Sequence, residues 1–102
     1  MIPWIGNFRA WVGFSDADFL KARLQNLLRY SEFNVIDFVE HRFDPFGYTC
    51  LWLLAESHLA VHTFPEHSKA YIELSSCNAE KQKAFEAAFA KAFGDGVCDA
   101  KA

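Results

Sequence analysis

The sequence predicts an α+β fold, a two-layer sandwich in which an antiparallel sheet carries two helices on one face. Two observations carry this expectation. Short strand-like runs follow one another with only turn-sized gaps between them, which suits antiparallel neighbours. Two longer segments instead place apolar residues at helical spacing.

Residues 8–14, FRAWVGF, read as a first strand. Ser15 and Asp18 have capping-box spacing, so a helix is expected from Asp16. Ala17, Leu20, Leu24, Leu27 and Leu28 extend it to about Tyr30. Residues 33–43 alternate as a second strand, and DPFG at 44–47 has turn composition. Residues 49–55 and 58–64 are the third and fourth strands, the latter broken by Pro65. Residues 69–76 make a fifth. Asn78 is placed to cap a last helix, with Phe85, Phe89 and Phe93 as its stripe and Gly94 as its stop.

The third strand bears on assembly. Leu51 and Leu53 point to one side and Trp52 and Leu54 to the other, so it belongs to a sheet buried on both faces. Two helices cover one face only. A second copy is expected against the other, through Trp52 and Leu54, in a sheet-to-sheet homodimer. The alternative is a monomer on which Trp52 stays half exposed.

The 102 residues suit one domain, 1–102, without repeats or linkers. Aromatics are 17% of the chain, more bulk than a minimal core needs, which points to a further apolar interface or pocket. Net charge is −3 without a Lys/Arg cluster, which argues against nucleic acid. No run is long and apolar enough for a membrane span, and Met1 is not followed by a signal-peptide pattern. Cys50, Cys77 and Cys98 are an odd set without a C-x-x-C pair. They argue for free thiols in a cytoplasmic protein.

The stretch LLAESHLAVHTFPE, 53–66, interrupts the most apolar part of the chain with Glu56, Ser57 and His58. Polar groups there cost free energy unless partnered. His58 and His62 would share a face on a helix, but on a strand they lie about 13 Å apart. One metal ion cannot bridge that gap, so no metal site is expected. Ser57, His62 and Glu66 supply a hydrolase-like set without a G-x-S-x-G elbow or a parallel scaffold. Taken alone, Ser57 and His58 read as a polar hairpin turn.

With HRFDPFG before it and IELSSC after it, this stretch resembles the prokaryotic, pyruvoyl-dependent S-adenosylmethionine decarboxylases. The resemblance runs from about Phe8 to Phe93, with Ser57, His62 and Cys77 in register. It implies a two-layer protomer that dimerises sheet to sheet. It implies self-cleavage between Glu56 and Ser57, into 1–56 and 57–102, leaving a covalent pyruvoyl cofactor derived from Ser57. His62 would be the base of processing, with Thr49 assisting. Cys77 would protonate the product carbon. Phe43 would stack on the adenine of S-adenosylmethionine, and Glu66 would contact the ribose. The activity implied is decarboxylation for polyamine synthesis. Such a site must be polar at the scissile bond and apolar around it, to keep water from the intermediate.

Several positions depart from the family pattern. His67, Ser68 and Lys69 replace Tyr-Gly-Tyr, Phe64 replaces Trp, and Asn78 replaces the Gly after the Cys. Asn7-Phe8-Arg9-Ala10 replaces a Gly-Arg-His-like segment. The C-terminal part is shorter, which predicts loss of a last strand. These changes touch the pocket and periphery more than the processing residues. They leave open a decarboxylase of ornithine or arginine, for which Lys69 matters if it points inward rather than into a solvated turn. An inactive paralogue that binds and regulates a decarboxylase is the third reading. The presence of Ser57, His62 and Cys77 together counts against it.

Overall fold

In a computed structural model that describes residues 3–98, the two periodicities become one sheet and two helices. The strands are β1 (Gly6–Val12), β2 (Val35–Arg42), β3 (Tyr48–Leu54), β4 (Ser57–Phe64), β5 (Lys69–Ser76) and β6 (Val97–Cys98). The helices are α1 (Ala17–Tyr30) and α2 (Ala79–Phe93), with short 3-10 turns at Pro65–His67 and Gly94–Gly96. The sheet order is β2-β3-β4-β5-β1-β6, and every neighbouring pair is antiparallel. The α+β sandwich with both helices on one face is therefore the fold observed.

The helices form where their stripes can be buried. Leu20, Leu24 and Leu28 of α1 and Phe85, Phe89 and Phe93 of α2 are at most 3% exposed. Each such side chain stabilises the fold by about 1.5–3 kcal/mol relative to exposure. Phe8 of β1 joins them, edge-on to Phe85 and Phe89 at centroid distances of 6.0 and 5.0 Å. Asn78 caps α2 as expected, its side chain accepting from the Lys81 amide.

Several expectations need correction. Asp16 is not the first residue of α1 but its N-cap, accepting from the Phe19 amide at 2.8 Å. The capping box with Ser15 is not used. Asp18 instead lies in the first turn and pairs with Arg42 of β2 at 2.9 Å.

The faces of β3 are the reverse of those expected. Trp52 and Leu54 lie under the helices, 2% and 3% exposed, whereas Leu53 is 46% exposed. Alternation puts Tyr48, Cys50, Trp52 and Leu54 on one side, and all are buried. Trp52 stands between Phe38 of β2, at a 5.0 Å ring separation, and Leu59 of β4. The bulkiest residue of the strand goes to the face where the helices remove it from water. The open face takes Leu51 and Leu53, beside Val39 and Ala60.

The strand after the hairpin starts at Ser57 rather than residue 58, so the turn is Ala55–Glu56. Lys69 is not in a solvated turn: it opens β5 opposite Phe64 and is partly buried. A last strand is present in short form. β6 pairs with β1, whose outer edge would otherwise expose unpaired backbone groups.

Candidate active site

The expected site residues fall into two groups, at opposite ends of the sheet. The first group forms where β4 begins and β5 ends. Ser57 lies opposite Ser76 in the β4–β5 ladder, so chain continuity sets Cys77 beside it. The backbone N–H of Cys77 donates to the Ser57 hydroxyl oxygen at 3.2 Å and to the Glu56 carbonyl oxygen at 3.3 Å. The Cys77 thiol donates to the same carbonyl oxygen. Ser57, the peptide bond before it and Cys77 are thus in mutual contact. The Ser57 oxygen accepts a bond, which leaves its own proton to be given up. The Glu56 carbonyl is polarised by two donors, as a carbonyl open to attack needs.

Asn78 extends this group. Its Nδ2 donates to the Glu56 carboxylate at 3.2 Å. Ser76, 1% exposed, accepts from the Asn78 amide at 3.0 Å and donates to the Asn78 carbonyl at 3.1 Å.

The second group lies where β2 ends, β3 begins and β4 ends. Thr49 faces His62 across the β3–β4 ladder, with Thr49 Oγ1 3.1 Å from His62 Nδ1. His62 stacks on Tyr71 of β5 at a 6.4 Å ring separation and an 18° interplanar angle. Trp11 continues the aromatic row, 5.2 Å from Tyr71 and 5.6 Å from Phe64. Burial and a hydrogen bond to Glu73 both raise the Tyr71 pKa, keeping that phenol neutral. Phe43 follows β2 and is 51% exposed, edge-on to His41 at 4.5 Å. Glu66 sits in the exposed 3-10 turn after β4.

One chain does not bring the two groups together. Ser57 and His62 are five residues apart on β4, about 17 Å at ~3.3 Å per residue. Alternation also points them to opposite faces, His62 to the open one. Among the described residues no cluster of three or more His, Cys, Asp or Glu is arranged to hold a metal ion.

Sequence reasoning missed Tyr71 as a neighbour of His62, and the contact from Asn78 to Glu56. Tyr71 was legible only through register, since His62 and Tyr71 are cross-strand partners. Asn78 stood out as a departure and as a cap, but its second contact needs the tertiary approach of the β3–β4 turn.

A sequence model described as S-adenosylmethionine decarboxylase matches residues 12–101, most of the chain. The chain belongs to the S-adenosylmethionine decarboxylase family. Among its relatives, an S-adenosylmethionine decarboxylase proenzyme of a Sulfurihydrogenibium species is 38% identical over 68 residues, covering 67% of this chain and 50% of that one. The S-adenosylmethionine decarboxylase proenzyme 2 of Bacillus cereus is 40% identical over 62 residues, 61% of this chain and 50% of its own. The chain spans about half the length of these curated relatives. The crystal structure of the adenosylmethionine decarboxylase from Aquifex aeolicus shares the fold with a TM-score of 0.70 at 24% identity, over 87% of this chain and 78% of that one.

Proposed function

We propose that this protein is a pyruvoyl-dependent decarboxylase of S-adenosylmethionine, acting in polyamine synthesis, and that it matures by cutting itself between Glu56 and Ser57. The observation that carries this is the convergence of Cys77 on both partners of the scissile bond. Its amide reaches the Ser57 oxygen, and its amide and thiol reach the Glu56 carbonyl oxygen.

The self-processing step uses the chain's own atoms. The Ser57 oxygen adds to the Glu56 carbonyl carbon, the C–N bond breaks, and the Ser57 nitrogen takes up the proton, turning an amide into an ester. Loss of the Ser57 Cα proton then expels Glu56 as a carboxylate. The dehydrated residue tautomerises to an imine, water replaces its nitrogen, and ammonia departs. The new N-terminal pyruvoyl group supplies an electron sink for the pair left when carbon dioxide departs. Cys77 returns a proton to the carbon that lost its carboxylate. Phe43 stacks on the adenine, and Glu66 accepts hydrogen bonds from the ribose hydroxyls.

His62, oriented by Thr49, supplies the base, and a second copy of the chain brings it to the end of the sheet where the β3–β4 turn presents the Glu56–Ser57 bond. The open face, with Leu51, Leu53 and Val39, is the apolar surface for this homodimer. A two-fold axis between the sheets and across the strands lays the Ser57 end of one over the His62 end of the other. Three free thiols and the substrate suit the cytoplasm. No helix among the described residues is long and apolar enough to cross a membrane.

Intact-mass analysis of the purified protein tests the maturation. The expected result is two fragments, 1–56 and 57–102, the second blocked to N-terminal sequencing, while Ser57→Ala stays whole. A wild type that stays whole after long incubation refutes it. Release of labelled carbon dioxide from S-adenosylmethionine, ornithine and arginine then decides the substrate. Release from an amino acid alone would shift the assignment to a basic-amino-acid decarboxylase, with the 67–69 segment as its cause. Cleaved protein that releases none would leave a regulatory paralogue.

A further inference from the structure

We propose that Asn78 is a positioning residue for self-cleavage, holding Glu56 so that its carbonyl faces the Ser57 hydroxyl; this rests on the maturation reading above. The argument starts from the two ends of one amide side chain. Asn78 Oδ1 accepts from the Lys81 amide at 3.0 Å as the N-cap of α2. That bond fixes which end of the amide is the oxygen. The Nδ2 end is therefore left as a donor, and it meets Glu56 Oε2 at 3.2 Å.

The backbone of Asn78 is equally constrained. The buried Ser76 hydroxyl bonds both its N–H and its carbonyl, closing a tight ring on the main chain. Cys77 lies between these two anchored residues and reaches the Glu56 carbonyl. Glu56 is therefore held twice from the same short segment, by its carbonyl through Cys77 and by its side chain through Asn78. Two attachment points on one residue fix the orientation of the peptide plane, which one would leave free to rotate. Attack on a carbonyl requires that orientation before chemistry begins. The turn residue Glu56 has no strand ladder to do this for it, since β4 starts at the next position.

The test follows cleavage of freshly translated full chain over time, with thermal midpoints measured alongside in a Ser57→Ala background. Asn78→Asp keeps an N-cap of equal quality but turns the donor into a carboxylate facing Glu56. Cleavage is expected to slow roughly tenfold with little change in thermal midpoint, equal to about 1.4 kcal/mol on the barrier. Asn78→Ser keeps the cap and is too short to reach Glu56. It should also slow cleavage, and it decides the matter if Asn78→Asp folds poorly. Adding Glu56→Gln to Asn78→Asp restores a donor–acceptor pair with reversed polarity. The double variant should cleave faster than Asn78→Asp alone, a rescue that a purely capping role would not produce. Wild-type rates in both single variants, or no rescue in the double variant, overturn the inference while maturation itself stands. A wild type that never cleaves removes the maturation reading and this inference with it.

Discussion

Thr49 and His62 are cross-strand partners on the open face of the sheet, with the threonine hydroxyl 3.1 Å from the imidazole Nδ1. The bond leaves Nε2 as the nitrogen available to a reacting proton. Yet His62 is about 17 Å along the strand from the Ser57 of its own chain.

The first prediction follows from that distance. His62→Ala should slow cleavage by roughly a hundredfold or more, the scale for loss of a general base. A His62→Ala chain co-expressed with a Ser57→Ala chain should be cut, because the mixed dimer contains one complete site. Tags of different size on the two chains report which is cleaved. Absence of cutting in the mixture would rule out a site shared between copies.

Cys77→Ala separates two roles. The thiol leaves the Glu56 carbonyl, but the Cys77 amide still donates to it. Cleavage should therefore continue about tenfold more slowly, the loss of one hydrogen bond. Decarboxylation by the cleaved variant should fall by roughly a hundredfold or more, since no acid stands ready for the product carbon. Normal turnover would assign the proton to another group.

Phe43→Ala should leave cleavage unchanged, because the ring takes no part in the acyl shift. Stacking on a flat base is worth about 1–3 kcal/mol. The KM for S-adenosylmethionine should therefore rise roughly ten- to a hundredfold. Labelled carbon dioxide release over a substrate series measures it.

Neighbouring residues of β3 should answer mutation in opposite ways. Trp52→Ala empties the core beside Phe38 and Leu59 and should cost about 3–5 kcal/mol in denaturant unfolding. Leu53→Asp should change protomer stability by about 0.5 kcal/mol or less, yet give a monomer in sedimentation. With the second copy gone, cleavage should stop as well.

Alkaline stability carries the last prediction. Burial pushes the Cys50 thiol up to about 11 from an ordinary value of 9.0. A folded pKa above the unfolded one means that stability is fully present below the unfolded value. It is then lost as pH rises through the window between the two. At 1.36 kcal/mol per pKa unit, the full shift corresponds to about 3 kcal/mol, and solvent screening brings the effect below that. The Tyr48 phenol, raised in the same direction by burial and by its bond to Glu40, extends the loss to higher pH. Urea midpoints of the uncleaved Ser57→Ala chain should fall across that window, and less steeply with Cys50→Ala added. Equal slopes would assign the loss to another group.

The sequence by itself determined the local elements and the candidate positions for chemistry. The spacing of Leu20, Leu24 and Leu28, and of Phe85, Phe89 and Phe93, could be satisfied only by helices with one buried stripe. The Glu56-Ser57-His58 interruption and the family pattern around it singled out Ser57, His62 and Cys77 as candidates without coordinates. The faces of β3 were beyond it, because alternation says that Trp52 and Leu53 point apart but not which side the helices cover. Only the packing of α1 and α2 decided that, by removing the larger ring from water. Tertiary structure likewise placed Cys77 against Ser57, through the pairing of β4 with β5, and His62 at the far end of the same strand. Residues that read as one set along the chain were divided between two ends of the sheet, since a strand rises ~3.3 Å per residue and cannot fold back on itself.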